Sequence, residues 1–196
     1  MARRPLAAAG SRDVRMGGLR VEVDPHRCFA CGELNEHGLH LILHAQDERC
    51  WTELVLDERF QGWEGIAHGG ILCAILDEVM AWSLVEHDAW GVTARLNVEF
   101  RRPVQVGTAI RAEGWMTETN RRLLRTAGRI VDAGTGDLLA TGEATYVVAP
   151  PERKAELKAR YRFRLVPEGS DSTGAVDGRT GADGKTGTNG KTGAGR

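Results

Sequence analysis

One stretch restricts every fold open to this chain: GWEGIAHGGILCAILDEVMAW, from Gly62 to Trp82. A Gly-rich turn ends in His68-Gly69-Gly70. After it, Ile71, Leu72, Ile75, Leu76, Val79, Met80 and Leu84 leave few polar positions on the helical circumference. A helix that is apolar nearly all round is a buried one. The spacing therefore predicts a central helix from Gly69 to Glu86 that the rest of the chain must enclose. Two acids, Asp77 and Glu78, stand inside it. Burying a carboxylate in hydrocarbon costs several kcal/mol unless it is paired, so the acids need partners or a purpose.

The material to enclose such a helix is present. LHLILHA and CWTELVL precede it as strand candidates, with AQDER as the turn between them. VTARLNVEF, AIRAEGWMTET, LLRTAGRIVD and LLATGEATYVVA follow it, the last three separated by the turn-like TNRR and AGTGD. One buried helix among strands joined by short turns predicts an α+β fold, a mostly antiparallel sheet wrapped around one long central helix. This core is expected over residues 21–150, behind a flexible arm over 1–20. PERKAELKARYRF, with Pro151 at its start, predicts a short C-terminal helix within 151–165. The tail, 166–196, is poor in apolar residues and expected to be disordered. Its glycine at every third position from Gly178 to Gly193 comes without the proline that a collagen helix requires.

Bulk properties exclude several classes. A net charge of -1 offers no basis for nucleic-acid binding. MARRPLAAAGSR is too short in apolar residues for a signal peptide, and no run approaches the ~20 apolar residues that span a bilayer. A cytoplasmic protein without a membrane span is expected. Cys28, Cys31, Cys50 and Cys73 do not form a disulfide framework. Cys28 and Cys31 make a CxxC with His26 and His37 nearby, but a closed zinc site needs four ligands. The segment is read as a local turn before the first strand, and no metal is expected. His37, His40 and His44 are read as loop or strand-edge residues.

The chemistry concentrates at the helix. Gly69 and Gly70 leave the first backbone N–H groups open, where the helix dipole favours negative charge. Such a turn suits a carbonyl oxygen that becomes an oxyanion, or it is simply a tight loop-to-helix junction. Asp77 lies eight residues beyond Gly69, about 12 Å along the axis. Both can touch one reacting carbon only if they come from different chains, which predicts a dimer with sites at its interface. Glu78 lies about 100° round the helix from Asp77 and is expected to pair with an arginine or reach solvent. Arg101, Arg102, Arg121 and Arg122 are candidates for phosphate contacts or for solvated surface charge. Trp63, Trp82, Trp90 and Trp115 are candidates for an acyl pocket or for the core.

HGGILCAILDE, GVTARLNVEFRRPVQVG, GDLLATGEATYVV and the opening CFACGELNEHGLHL together span Cys28 to Val148. In these segments the chain resembles hotdog-fold acyl-CoA thioesterases, of the phenylacetate-pathway type within the 4-hydroxybenzoyl-CoA thioesterase superfamily. The resemblance implies hydrolysis of an acyl-CoA to free acid and coenzyme A by a homodimer or dimer of dimers. No cofactor is implied beyond the coenzyme A of the substrate. It implies Asp77 as nucleophile or general base, the Gly69 N–H as polariser of the thioester carbonyl, and Thr93 as a residue that orients the water. His68 is implied as a support of the loop. One departure stands out: where relatives often carry Asn, six residues before the His, this chain has Gly62, with Gln61 beside it to supply an amide. A non-catalytic acyl-CoA-binding hotdog module is the alternative. A dehydratase-type hotdog enzyme fits less well, since its Pro-Gly helix entrance is lacking.

Overall fold

The computed structural model of the chain describes residues 19–167. In order these form β1 (Leu19–Glu22), β2 (His44–Gln46), β3 (Arg49–Val55), α1 (Gly69–Trp82), β4 (Gly91–Phe100), β5 (Ala109–Thr119), β6 (Leu123–Asp132), β7 (Leu138–Val148), α2 (Pro151–Tyr161) and β8 (Arg164–Pro167). One eight-stranded sheet runs β4-β7-β6-β5-β3-β2-β1-β8. Every neighbouring pair in it is antiparallel. The expected α+β arrangement of a large antiparallel sheet on one long helix is the one observed.

The differences have local causes. LHLILHA is mostly irregular because His40 turns to a positive φ, and the N–H groups of Leu39 and Leu41 donate to Phe29 and Ala30. The helix stops at Trp82 rather than Glu86 because Val85–His87 tighten into a 3-10 turn that Asp88 ends in the left-handed region. β1 and β8, four residues each, pair with each other in full register and are too short to show alternation. β8 begins three residues after the end of α2 and straddles the boundary between the segment expected to be helix, 151–165, and the tail expected to be disordered, 166–196. Residues 1–18 and 168–196, which hold most of the expected arm and tail, lie outside the described residues. No described helix is long and apolar enough to cross a membrane.

How α1 seats on the sheet follows from three glycines. Leu72, Ile75, Leu76, Val79 and Met80 form its buried face. Beneath it, Gly114 of β5 pairs with Gly128 of β6, which pairs with Gly142 of β7, making a row without side chains across three strands. A Cβ on Gly114 would lie 2.7 Å from backbone atoms of Val79 and Met80, whereas one on Gly142 would meet only the side-chain ends of Leu76 and Met80 at 3.3 Å. A helix backbone cannot yield as a methyl group can. Gly114→Ala is therefore expected to cost about 3 kcal/mol, at the upper end of overpacking penalties. Gly142→Ala should cost under about 1 kcal/mol by the same reasoning. Thermal unfolding of both variants checks this, and an unchanged midpoint for Gly114→Ala would contradict the close approach.

The C-terminal segment fastens the far end of α1. Lys154 and Lys158 of α2 pair with Asp88 at 2.6 and 2.8 Å. The Phe163 ring stands 6.3 Å from Trp82 and 5.8 Å from Trp90. At the opposite side of the sheet β4 is an edge strand of ten residues, mostly exposed, with Val92 and Phe100 showing large apolar surfaces.

Candidate functional site

At the start of α1, His68 is the N-cap. Its Nδ1 accepts the Gly70 N–H at 2.9 Å, and its own backbone N–H donates to the Phe60 carbonyl at 2.8 Å. The imidazole is thus occupied in shaping the turn. Within the described residues nothing accepts the Gly69 N–H, as is normal for the first residue of a helix. Gly69 borders a cleft of about 380 Å³, together with Ile66, Phe100, Arg101 and Arg102. Gln61 lies close by, but its Oε1 accepts the Gly65 N–H at 3.1 Å and so braces its own loop.

Asp77 sits midway along the helix beneath the sheet edge. The Thr93 hydroxyl donates to Asp77 Oδ1 at 2.9 Å. A register shift in β4 between Thr93 and Arg95 marks a bulge at this point, and bulges re-aim side chains. A second hydroxyl converges on the same group. Tyr146 of β7 donates to the Asp77 carbonyl at 3.2 Å and to Oδ1 at 3.3 Å. Burial first, and then the Asp77 charge, hold the Tyr146 phenol above its usual range, so it stays protonated as a donor. Tyr146 was not singled out from the sequence. The available signal was its alternation with Ala144 on an inward-facing strand, since a buried tyrosine needs a partner for its hydroxyl.

Glu78 faces elsewhere, as the helical angle requires, but neither of its expected environments is found. It is partly buried, and among the described residues no arginine meets it. Trp82 Nε1–H donates to Oε1 at 2.8 Å, and the Cys28 sulfur lies 3.8 Å from Oε2. Burial pushes the Glu78 carboxyl up to about 7, helped by the Cys28 charge and opposed by hydrogen bonds from Cys31 and Trp82. The Cys28 thiol is drawn down to about 5, chiefly by a hydrogen bond from Cys31 and also by two backbone N–H groups. Cys31, losing in that exchange and partly buried, is pushed up.

The four arginines divide into two groups. Arg101 and Arg102 rim the Gly69 cleft, paired with Glu99 and with Asp137, the latter at 2.7 Å. Arg121 and Arg122 are exposed at the β5–β6 turn, whose backbone Asn120 holds. Strand register places that turn at the opposite end of the sheet from Arg101, near Thr93 and Tyr146. Of the tryptophans, Trp63 is exposed, while Trp82 and Trp90 pack on Phe163. Trp115 stacks under the Arg49 guanidinium.

Within one chain, then, the open N–H and the hydroxyl-bound carboxylate are eight residues apart on a helix, about 12 Å. Chemically, the first is a hydrogen-bond donor suited to a developing negative charge, and the second is a carboxylate able to attack or to take a proton.

The chain is similar to known proteins over the region that carries this geometry. A sequence profile for the Thioesterase superfamily matches residues 64–138. Acyl-coenzyme A thioesterase 13 of Mus musculus is 24% identical over 106 residues, covering 53% of this chain and 76% of that protein. A solved thioesterase superfamily protein superposes with a TM-score of 0.59 at 24% identity, over 62% of this chain and 60% of its own length. A phenylacetic acid degradation-related protein from Ralstonia eutropha does so with a TM-score of 0.50 at 28% identity, over 56% of this chain and 86% of that one. The fold is the hotdog fold, with α1 as its central helix.

Proposed function

We propose that this chain is an acyl-CoA thioesterase whose sites are completed across a homodimer, alone or as a dimer of dimers. The observation that carries the reading is the Asp77 carboxylate, held in the most apolar helix of the chain by two hydroxyls that both reach Oδ1. That arrangement leaves Oδ2 to attack the thioester carbon or to take a proton from water. The carbonyl oxygen is received by the Gly69 N–H of the partner, and coenzyme A leaves as the thiolate. Water then cleaves the anhydride where Asp77 has attacked, so that either route ends in free acid and a restored carboxylate. None of these steps runs through a metal ion. The likeness to an acyl-coenzyme A thioesterase supports the substrate class.

The exposed β4 edge supports the dimer. A long unpaired edge strand invites pairing with another chain. If two β4 strands pair antiparallel about a centre near Leu96, Phe100 of one comes opposite Val92 of the other. That brings one chain's Gly69, Arg101 and Arg102 beside the other's Asp77, Thr93, Arg121 and Arg122. The arginines then flank one site from two sides, where the diphosphate of coenzyme A would lie. A phenylacetate-pathway role and a cytoplasmic location belong to the same proposal, resting on the motif pattern and the Ralstonia eutropha likeness.

A second reading, an acyl-CoA-binding module without turnover, draws on the loop before His68. Gly62 brings no side-chain amide there, and the Gln61 oxygen is engaged by Gly65. Thiol release from a panel of aromatic, branched and long-chain acyl-CoA esters decides between them. Turnover of at least one ester is expected, while tight binding with no thiol released from any would select the module.

A further inference from the structure

Between β1 and β2 the chain runs from Val23 to Leu43 without strand or helix. Irregular stretches of this length inside a compact domain are uncommon and usually have a function of their own. Its centre is a tight turn over Cys28-Phe29-Ala30-Cys31-Gly32. The Gly32 N–H donates to the Cys28 carbonyl at 3.0 Å, and the Leu34 N–H to the His26 carbonyl at 3.0 Å. A Cβ on Gly32 would lie 2.4 Å from the Cys28 nitrogen, so the turn closes only on glycine.

The turn faces the middle of α1. The Cys28 and Cys31 sulfurs and a Glu78 carboxylate oxygen all lie within 4.8 Å of one another. The buried His26 touches one member of this group, with Nε2 3.3 Å from the Cys31 sulfur, and lies outside the 4.8 Å cluster itself. Its Nδ1 stands 3.0 Å from the Asp24 carbonyl, which can only accept. The ring proton therefore sits on Nδ1, and Nε2 presents its lone pair to the cluster. Metal-binding histidines are oriented by this kind of bond.

We propose that Cys28, Cys31, Glu78 and His26 hold a zinc ion that fastens the loop between β1 and β2 to the middle of α1. The sequence alone offered a single CxxC with histidines nearby and no fourth ligand; folding brings Glu78 to it from fifty residues away. Bonds of about 2.3 Å to sulfur and 2.1 Å to nitrogen or oxygen put neighbouring ligands of a tetrahedral zinc about 3.6 Å apart. The 3.8 Å from Cys28 Sγ to Glu78 Oε2 matches that spacing, and the two sulfurs and the carboxylate lie within 4.8 Å of one another; His26 Nε2, 3.3 Å from Cys31 Sγ, must turn in from beside them. Two thiolates, an imidazole and a carboxylate select zinc over magnesium or calcium, which take oxygen ligands. With His26 turned in, four protein ligands close the coordination sphere, so the ion is structural. A dithiol that cycled through a disulfide would employ the cysteines but give no task to Glu78 or to the aimed His26. The proposal does not depend on the thioesterase reading.

The test uses the full chain, reduced and stripped of metal, and titrates it with cobalt(II) and with zinc. Cobalt should give visible bands of a tetrahedral ion with a thiolate charge-transfer band, saturating at one ion per chain. Zinc should displace it and raise the thermal midpoint. Cys28→Ser should abolish the spectrum, and Glu78→Gln should weaken binding by about 100-fold or more; Cys73→Ser should change neither. Glu78→Gln keeps an oxygen to accept from Trp82, so it carries the test if Cys28→Ser fails to fold. A reduced wild-type chain that shows no tetrahedral cobalt spectrum overturns the proposal. So does undiminished binding in Glu78→Gln, which would leave the CxxC acting alone.

Discussion

Asp77→Asn is expected to lower thiol release from a good acyl-CoA substrate by on the order of 10³-fold or more, while leaving the chain folded and dimeric. The size follows from what the amide cannot do. It neither attacks a thioester nor accepts a proton from water, and positioned base or nucleophile chemistry contributes roughly 10²–10⁴-fold. The stability follows from what the amide can still do. The Thr93 hydroxyl reaches Oδ1 at 2.9 Å, and Asn retains an acceptor there. The Tyr146 hydroxyl also donates to the main-chain carbonyl at residue 77, which the substitution does not alter. The lost activity therefore should appear in kcat, with the circular dichroism spectrum and the elution volume unchanged. Thr93→Val, which removes a donor but not the carboxylate, should fall well short of that loss. Full turnover by Asp77→Asn would remove the helix acid from the chemistry altogether.

The halves of this site were unequally legible in the sequence. A helix announces itself by period, and α1 was visible because nearly every position on it is apolar. An acid in such a helix is conspicuous for the same reason. Long strands with turn residues between them were legible too, which is why β4 to β7 lie where alternation puts them. Tyr146 was not, because its meeting with Asp77 depends on the register of β7 against β4, which no local pattern encodes. Glu78 shows the limit more sharply. Its angle on the helix was readable, but its neighbour Cys28 comes from an irregular loop that periodicity cannot place. The expectation of an arginine partner drew on general habit, and the fold had brought a thiol and an indole instead. β8 is a short edge strand and β1 its equally short neighbour, and their only long pairing is with each other, so neither was legible until both were seen.

The proposed division of the site between two chains makes the most demanding prediction: two inactive variants should restore each other. Gly69→Pro removes the proposed oxyanion donor and little else. Gly69 is the first residue of α1, where the N–H has no helical partner and proline is well tolerated. His68 before it is already extended, at φ -65° and ψ 130°, as a residue preceding proline should be. The new Cβ would meet the exposed Phe100 ring at 3.2 Å, and Gly69→Ala makes the same contact while keeping the N–H. Gly69→Ala should therefore stay active, while Gly69→Pro should lose about 10²–10³-fold in kcat. When Gly69→Pro and Asp77→Asn chains are mixed and allowed to exchange subunits, half of the dimers should carry one chain of each. In those dimers one site collects both lesions, and the other joins an intact Asp77 to an intact Gly69. Activity should rise from under about 1% in either parent to about a quarter of wild type, as a two-fold arrangement dictates. If Asp77 and Gly69 of the same chain served one site, no mixture could assemble an intact pair, and activity would stay at the level of the parents.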